Sequence, residues 1–342
     1  MTTIKKGFLL AAVLMAAAFP AFSQAPSLDL NDIQSGIGSA AETLGEALIL
    51  NSTLGLSWSD SHIGQLIALP PHFGVGISAG ATSVQAQGVS DFLNTLGVDT
   101  SDLFGPIPGD SFYLPRGNVE GRIGGFLLPF DIGVKGMYLP AVGSDTKLEF
   151  TSLGADIRFA LIKNRLIIPG ISLAAGASYT TGGVSRSLGT TQHIDLSQIQ
   201  GFSSGDGLDL SAPELDFHWK NITLDARVQA SWNLIAITPY VGAGASYGWS
   251  TVGYGLNSTV TKTGTWSGTT EDLNNNLTNA GLDPVNLDSA SGLSYETKYE
   301  GLAFRAFGGV SLNILIVKLD LSLIYDFVNK VYGANAGVRI QI

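Results

Sequence analysis

The sequence predicts an all-β protein, a transmembrane antiparallel β-barrel of about ten to twelve strands with an N-terminal amphipathic helix. Three observations predict this fold. Apolar and polar residues alternate with a period of two along most of the 342 residues, up to the last one. The mean hydropathy is +0.26, yet beyond residue 25 no apolar run approaches the ~20 residues that a membrane-spanning helix needs. Short and long connections also alternate between the strand-like segments, as they do in outer-membrane barrels.

Residues 1–23 have the features of a signal peptide. A pair of lysines precedes an apolar run at 7–18, and a small-x-small cleavage site follows that run. We therefore expect cleavage near Ser23 and Gln24 and export from the cytoplasm. The apolar run is shorter than a membrane anchor requires.

Residues 24–49 form a second region, ahead of a barrel domain that we place at 50–342. Its apolar residues recur at helical spacing, and Asp29 or Asn31 is a candidate N-cap. The apolar positions are Leu30, Ile33, Ile37, Ala40, Ala41, Leu44 and Leu48. This spacing predicts an amphipathic helix over 28–48.

The remainder of the chain alternates in segments close to the 9–11 residues that cross a bilayer at a tilt. We place ten strands near 72–84, 117–127, 130–139, 148–161, 166–181, 215–231, 236–251, 299–313, 315–328 and 331–342. Long polar loops are expected at 85–116, 182–214 and 252–298. Residues 50–69 also alternate in part, so a barrel of twelve strands is an alternative.

Alternate strands share an acid-x-Arg pattern on their polar face, which is the face we expect to line the lumen. Two residues on one strand point to the same side, so each acid can pair with its arginine. Arg305 and Arg339 occupy the same place without the acid, and Lys135 and Asp326 are also assigned to the lumen. The residues predicted to form a charged ring are Arg122, Arg158, Arg227, Arg305, Arg339, Lys318, Glu120, Asp156, Asp225, Asp131 and Asp320.

Two interpretations of this ring are open. It is either a constriction whose charges select solutes, or a paired network that fills a narrow barrel and fixes its register. Three strands also have inward faces of small residues, as at Gly74, Gly76 and Ser78, which suggests that something approaches the wall. The N-terminal helix, lodged in the lumen as a plug, is one candidate; room for water is the other.

Signals for catalysis, cofactors or nucleic acid are weak. Ser78 and Ser246 each lie in a G-x-S-x-G sequence, but both are in mid-strand and not at a strand-to-helix turn. His193 with Asp195 fits loop surface better than an active site, and the histidines lack a metal-ligand spacing. The chain has no cysteine and a net charge of -10 without a basic run. We expect no enzyme, no cofactor, no metal and no nucleic-acid partner.

Three stretches resemble a family of porin-like outer-membrane β-barrels from spirochaetes and the Bacteroidetes. They are 54–77, which begins Leu-Gly-Leu-Ser-Trp-Ser-Asp, 124–131, which reads Gly-Gly-Phe-Leu-Leu-Pro-Phe-Asp, and Tyr-Leu-Pro at 138–140. The resemblance implies the fold and a place in the bacterial outer membrane of a Gram-negative-type envelope, and it implies no substrate. Many such barrels end in Phe, whereas this chain ends in Ile342.

The function predicted from these features is passive transport through a narrow pore with a charged lumen. The expected partners are outer-membrane lipid, the outer-membrane insertion machinery and small solutes. The alternative is a non-conducting surface barrel whose long acidic loops bind a partner or matrix, in a structural or adhesive role.

Overall fold

The structure of the protein is a computed structural model. It describes residues 30–63, 72–85, 111–125, 129–143, 146–164, 168–187, 191–197, 202–212, 214–257, 259–266, 268–279 and 293–342. The predicted signal peptide and most of the predicted loop at 85–116 lie outside the described residues.

Ten antiparallel strands form a closed barrel in which sequence neighbours pair with each other. Two helices and three short strands accompany it. In chain order the elements are α1 (Leu30–Asn51), β1 (His72–Gln85), β2 (Ser111–Gly124), β3 (Phe130–Val142), β4 (Thr146–Ile162), β5 (Gly170–Ser187), β6 (Gln192–Asp195), β7 (Gly207–Leu210), β8 (Glu214–Ser231), β9 (Ile237–Asn257), β10 (Val260–Thr263), α2 (Thr270–Asn279), β11 (Leu293–Ile314), β12 (Val317–Asp326) and β13 (Tyr332–Gln341).

The barrel closes where its first strand, β1, meets its last, β13. The two are paired from Gly74 opposite Gln341 to Thr82 opposite Gly333. Because the sheet has no free edge, backbone groups of every barrel strand are paired on both sides. Alternate side chains then face outward or into the lumen.

The predicted barrel and N-terminal helix are confirmed, with ten strands and not twelve. The described part of the 50–69 region, residues 50–63, contains no strand. Four strands, β2, β5, β9 and β11, extend six residues further into the predicted loops than we expected. The reason is that strand pairing continues beyond the apolar part of the barrel, where the alternation that marks a strand in the sequence fades.

The two ends of the barrel differ. The turn side holds the start of β1 and the short connections at 125–129, 163–169, 232–236 and 315–316. The loop side holds the long connections, which we had predicted, and two further short ones at 143–145 and 327–331. Among the described helices, none has the length and apolar character needed to cross a membrane.

The loop side carries a small folded unit that sequence reasoning did not predict, which we call the loop module. Its sheet has the order β10-β7-β6. Leu196, Leu208 and Leu273 are buried beneath it, with Phe202 and Trp266 packed against them. Its residues come from the β5–β8 and β9–β11 connections, which we had expected to be solvated acidic loops.

Candidate functional site

The lumen is occupied by residues 44–63, the end of α1 and the chain that follows it, which we call the lumenal segment. Successive residues of this segment contact successive levels of the barrel. Asn51 Nδ2 donates to Thr82 Oγ1 on β1 at 3.1 Å, whereas Trp58 lies beside Gly74 near the start of the same strand. Further on, Ser61 contacts Gly170 at the start of β5. The lumenal segment therefore runs from the loop side to the turn side.

The first part of this segment is apolar. Leu44, Ala47, Leu48 and Leu50 are each at most 2% exposed. They pack against barrel residues near the loop side, namely Val84, Leu114, Phe150, Trp219, Val252 and Val331. Burial of each leucine contributes about 1.5–3 kcal/mol. Trp219 thus faces the lumen and not the outer surface of the barrel.

On the turn side of the helix, cationic side chains of the barrel bind the backbone of the segment. Lys135 Nζ donates to the carbonyl oxygens of Ser52 and Leu54 at 2.8 and 2.6 Å. Arg122 donates to the carbonyl oxygen of Leu56 at 3.1 Å. The chain bends sharply here, since Gly55 and Leu56 have φ values of 83° and 58°. Leu56 lies in a region that costs a side-chain-bearing residue about 1–2 kcal/mol, which the bonds to its backbone offset.

Trp58 is the centre of the segment. Its Nε1 donates to Glu120 at 2.8 Å, and Glu120 also accepts from the Leu56 amide at 2.9 Å. The guanidinium carbons of Arg122 and Arg339 lie 5.6 and 4.8 Å from the centroid of its ring. Each of these cation–π contacts contributes about 0.5–2 kcal/mol.

Asp60 anchors the part of the segment that lies nearer the turn side. Lys318 Nζ donates to both of its carboxylate oxygens, and Arg339 Nη2 donates to one of them at 3.2 Å. Arg158 donates to the carbonyl oxygens of Trp58 and Asp60. The amide of Ile63 then donates to Asp131 at 3.0 Å. All of these side chains are buried, where a charge is stable only if it is paired and hydrogen-bonded.

The structure brings the residues of the predicted charged ring together on the inward faces of the strands, where they are largely paired with one another. The ion pairs between strands are Arg122–Asp131, Arg122–Asp156, Arg158–Asp131, Arg227–Asp156, Arg305–Asp225 and Arg339–Asp320. The pair Arg227–Asp225 lies within β8. Glu120 and Lys318 bind the lumenal segment instead. Asp326, also predicted to face the lumen, accepts from the Phe304 and Val328 amides and from Asn329.

Several lumenal residues were missed. Asp60 and Trp58 precede the first strand, in a region whose partial alternation had suggested further strands and not a segment inside the lumen. Arg116 lies on the part of β2 that we had assigned to a loop; it is 3% exposed, and its Nη2 lacks a hydrogen-bond partner. Gln229 could have been found, because it shares the inward face of β8 with Arg227, and it donates to the Trp58 carbonyl at 2.8 Å.

The weak catalytic candidates are placed as follows. Ser78 donates to Glu120, and Ser246 accepts from Arg305, so both serines are inward residues of regular strands. His193 pairs with Asp209 at 2.7 Å, across the β6–β7 ladder and exposed to solvent, and not with Asp195. Among the described residues, no group of three or more His, Asp or Glu is arranged to hold a metal ion.

The loop module has its own polar centre, the carboxylate of Asp206. It accepts hydrogen bonds from the backbone amides of Ser203, Thr265 and Trp266 at 2.7, 2.7 and 3.2 Å. These bonds join its two parent loops, 188–213 and 258–292. The amide of Ser203, followed by those of Thr265 and Trp266, holds the pKa of Asp206 below its ordinary value.

The solved structures that are similar to this chain are barrels, and their sequence identity to it is about a tenth. The translocator domain of autotransporter NalP from Neisseria meningitidis has a TM-score of 0.38 at 9% identity, covering 92% of this chain and 99% of that one. The outer-membrane protease OmpT from Escherichia coli has a TM-score of 0.39 at 11% identity, covering 80% and 99%. Ail of Yersinia pestis, bound to sucrose octasulfate, has a TM-score of 0.27 at 10% identity, covering 80% and 100%. At these TM-scores the likeness is one of barrel architecture alone.

The sequence itself shows the family. No curated protein matches the chain. A family profile described as Lsa36-like, in contrast, matches residues 72–342, which begin at the first residue of β1 and include all ten barrel strands. The match covers well over half of the chain, so the protein belongs to the Lsa36-like family.

Proposed function

We propose that this protein is a bacterial outer-membrane β-barrel, closed by its own lumenal segment, that anchors the loop module at the membrane surface. One observation carries the closed state: barrel side chains bind the backbone of the lumenal segment from Ser52 to Asp60 along the lumen. One cavity beside this segment, next to Trp58 and Arg339, has a volume of about 20 Å³. That volume holds about one water molecule.

The outer surface supports a place in the membrane. Large apolar side chains point outward along the strands, such as Ile77 at 64%, Leu153 at 65% and Leu323 at 66% exposed. A soluble protein rarely exposes a contiguous apolar patch beyond a few hundred Å². Outward aromatic residues such as Tyr138 and Trp249 fit the interfacial girdles of outer-membrane barrels.

A narrow solute channel is the second candidate, and the charge balance of the wall favours it. The described strands present eight basic side chains to the lumen, namely Arg116, Arg122, Lys135, Arg158, Arg227, Arg305, Lys318 and Arg339, against the six acids Glu120, Asp131, Asp156, Asp225, Asp320 and Asp326. Withdrawal of Asp60 with its segment would leave this excess of positive charge in a narrow, low-dielectric passage. Such a channel would favour anions.

Conductance in a planar bilayer separates the two candidates. The chain without residues 1–23 is refolded, and its folding is checked by heat-dependent migration on a gel. The matched variant is Ser52→Cys with Thr180→Cys, because the two hydroxyl oxygens lie 3.5 Å apart and a disulfide there would fix the segment to β5. If neither folded protein gives conductance steps, the result supports the closed anchor. Discrete steps in the wild type overturn it, and steps that disappear on oxidation of the variant establish a gated channel.

A further inference from the structure

We infer that the lumenal segment crosses the barrel that the following part of the chain forms. The N-terminal part of α1 therefore lies on the loop side of the membrane. This inference rests on the proposed membrane-spanning function. It adds a second function, the transfer and display of an N-terminal segment on the same side as the loop module.

The direction of the lumenal segment is fixed by contacts on several strands. On β2, Asn51 donates to the Leu114 carbonyl, whereas Leu56 donates to Glu120, further toward the turn side. On β8, Ser52 accepts from Asn221, and Trp58 accepts from Gln229. Contacts on these strands follow the same order as those on β1. The chain therefore crosses the lumen once, without a reversal between residues 51 and 61.

From the lumen, the helix continues toward the loop side. Gly45 lies against Tyr299, in the part of β11 that extends toward the loop side. From there α1 continues back to Leu30. The residues ahead of Leu44 account for about 21 Å of helix at 1.5 Å per residue. Ser39 and Glu42, within this part, are exposed.

The other end of the segment is on the opposite side. Ile63 is bound to Asp131, the second residue of β3, close to the turn side. Strand β1 starts only nine residues later, at His72, also on the turn side. From α1 on the loop side, the chain thus crosses inside the barrel and begins the barrel on the turn side.

The lumenal segment is bound beside the seam that closes the barrel. That seam joins β1 to β13, the first and last strands of the barrel. The segment leads directly into β1, and its Asp60 binds the buried Lys318 of β12 and Arg339 of β13. These contacts hold the segment in the lumen at both sides of the last strand pairing.

Single-cysteine labelling tests the inference, since the chain has no cysteine of its own. Ser39→Cys and Glu42→Cys report on α1. Ser204→Cys, in the loop module, is the loop-side control, and Ala236→Cys, in the β8–β9 turn, is the turn-side control; both residues are exposed. Each full-length variant is expressed in intact Gram-negative cells and treated with a membrane-impermeant maleimide before and after permeabilisation of the outer membrane.

The inference predicts that both α1 cysteines are labelled on intact cells to the same extent as Ser204→Cys. Ala236→Cys should be labelled at least tenfold less until the cells are permeabilised. Labelling of both α1 variants only after permeabilisation, like Ala236→Cys, would overturn the inference and leave the anchored barrel intact. Equal labelling of the two controls on intact cells would overturn the membrane-spanning function, and this inference with it.

Discussion

Lys318 and Asp60 are 258 positions apart in the chain, yet Lys318 Nζ donates to both carboxylate oxygens of Asp60 at 2.8 and 2.7 Å. Both side chains are 1% exposed. The pair joins the lumenal segment to β12, and Arg339 on β13 joins the same carboxylate. The N-terminal segment is thereby tied to the last two strands of the barrel.

Asp60→Asn should destabilise the folded protein by about 3–5 kcal/mol, the range observed when one partner of a buried ion pair is removed. The substitution leaves Lys318 without a carboxylate and weakens the pairing of Arg339. Urea-dependent unfolding in detergent, monitored by gel migration, measures the loss. Glu271→Gln, on the exposed face of α2, should leave the transition midpoint unchanged.

A double-mutant cycle makes this prediction specific. If the cost arises from the uncompensated charge, Lys318→Met in the Asp60→Asn background should restore part of the lost stability, because the buried cation is then absent. Additive losses for the two substitutions would contradict the account of Asp60 as the anion that neutralises Lys318.

Gly55→Ala should destabilise the lumenal segment for two reasons. At φ 83° a methyl group is strained, which costs about 1–2 kcal/mol. It would also lie 2.7 Å from Glu120 Oε1 and 2.9 Å from Asn118 Nδ2, so the bonds from Glu120 to the segment would have to shift.

Gly205→Ala is the matched control for this change. Gly205 has a similar φ of 90°, but a methyl group there would have nothing within 4 Å, so it tests strain without the steric conflict. We expect Gly55→Ala to lower the urea midpoint of the barrel, followed by gel migration, clearly more than Gly205→Ala lowers the urea midpoint of the loop module, followed by limited proteolysis. An equal effect would mean that the packing of Glu120 against the segment contributes little.

The barrel was predictable because its environment imposes a period on the sequence. An apolar exterior and a charged lumen give every second residue one character, so parity alone placed Arg122, Arg158 and Arg227 in the lumen. The same parity places Trp219 on the inward face of β8 with Arg227, where it packs on α1.

The rest of the site depends on contacts that have no period. Asp60 and Trp58 lie in an irregular segment, and their roles are set by strands that come 60 to 280 residues later. The loop module likewise combines three short strands and a helix from two separate connections, which are too short and too polar to be distinguished from loops. In both places the fold is determined by long-range packing, and the local sequence carries no comparable signal.

Leu273→Asp should unfold the loop module and leave the barrel intact. Leu273 is fully buried among Leu196 and Leu208, and an unpaired carboxylate in this small core costs more than the few contacts there provide. Limited proteolysis should cut the 188–213 and 258–292 connections faster, while gel migration of the folded barrel stays the same. Asn275→Asp, at an exposed position of the same helix, is the control, and loss of the folded barrel in Leu273→Asp would show that the two parts are not independent.

The loop module should also lose stability in acid through Asp206. Its pKa is lowered in the folded state by hydrogen bonds from backbone amides, that of Ser203 foremost. The ionised carboxylate therefore favours folding above the ordinary aspartate pKa of about 3.9, and this contribution is lost as the pH falls through the lower, folded-state pKa. Protease sensitivity of the module, measured with pepsin between pH 5 and 2, should rise over that window in the wild type. Asp206→Asn should be sensitive at pH 5 already, and a flat wild-type profile would contradict the prediction.

The apolar exterior makes a depth-dependent prediction. Leu321 lies in the middle of β12 and is 56% exposed, whereas Leu315 lies in the turn before that strand and is 85% exposed. If the barrel spans a bilayer, Leu321→Arg should cost about 2–4 kcal/mol and Leu315→Arg about 0–1 kcal/mol, because a charge near the interface remains hydrated. Folding into lipid vesicles from urea, followed by gel migration, measures both costs against the wild type. Equal costs, or a larger cost at the more exposed Leu315, would be inconsistent with a membrane around the middle of the strands.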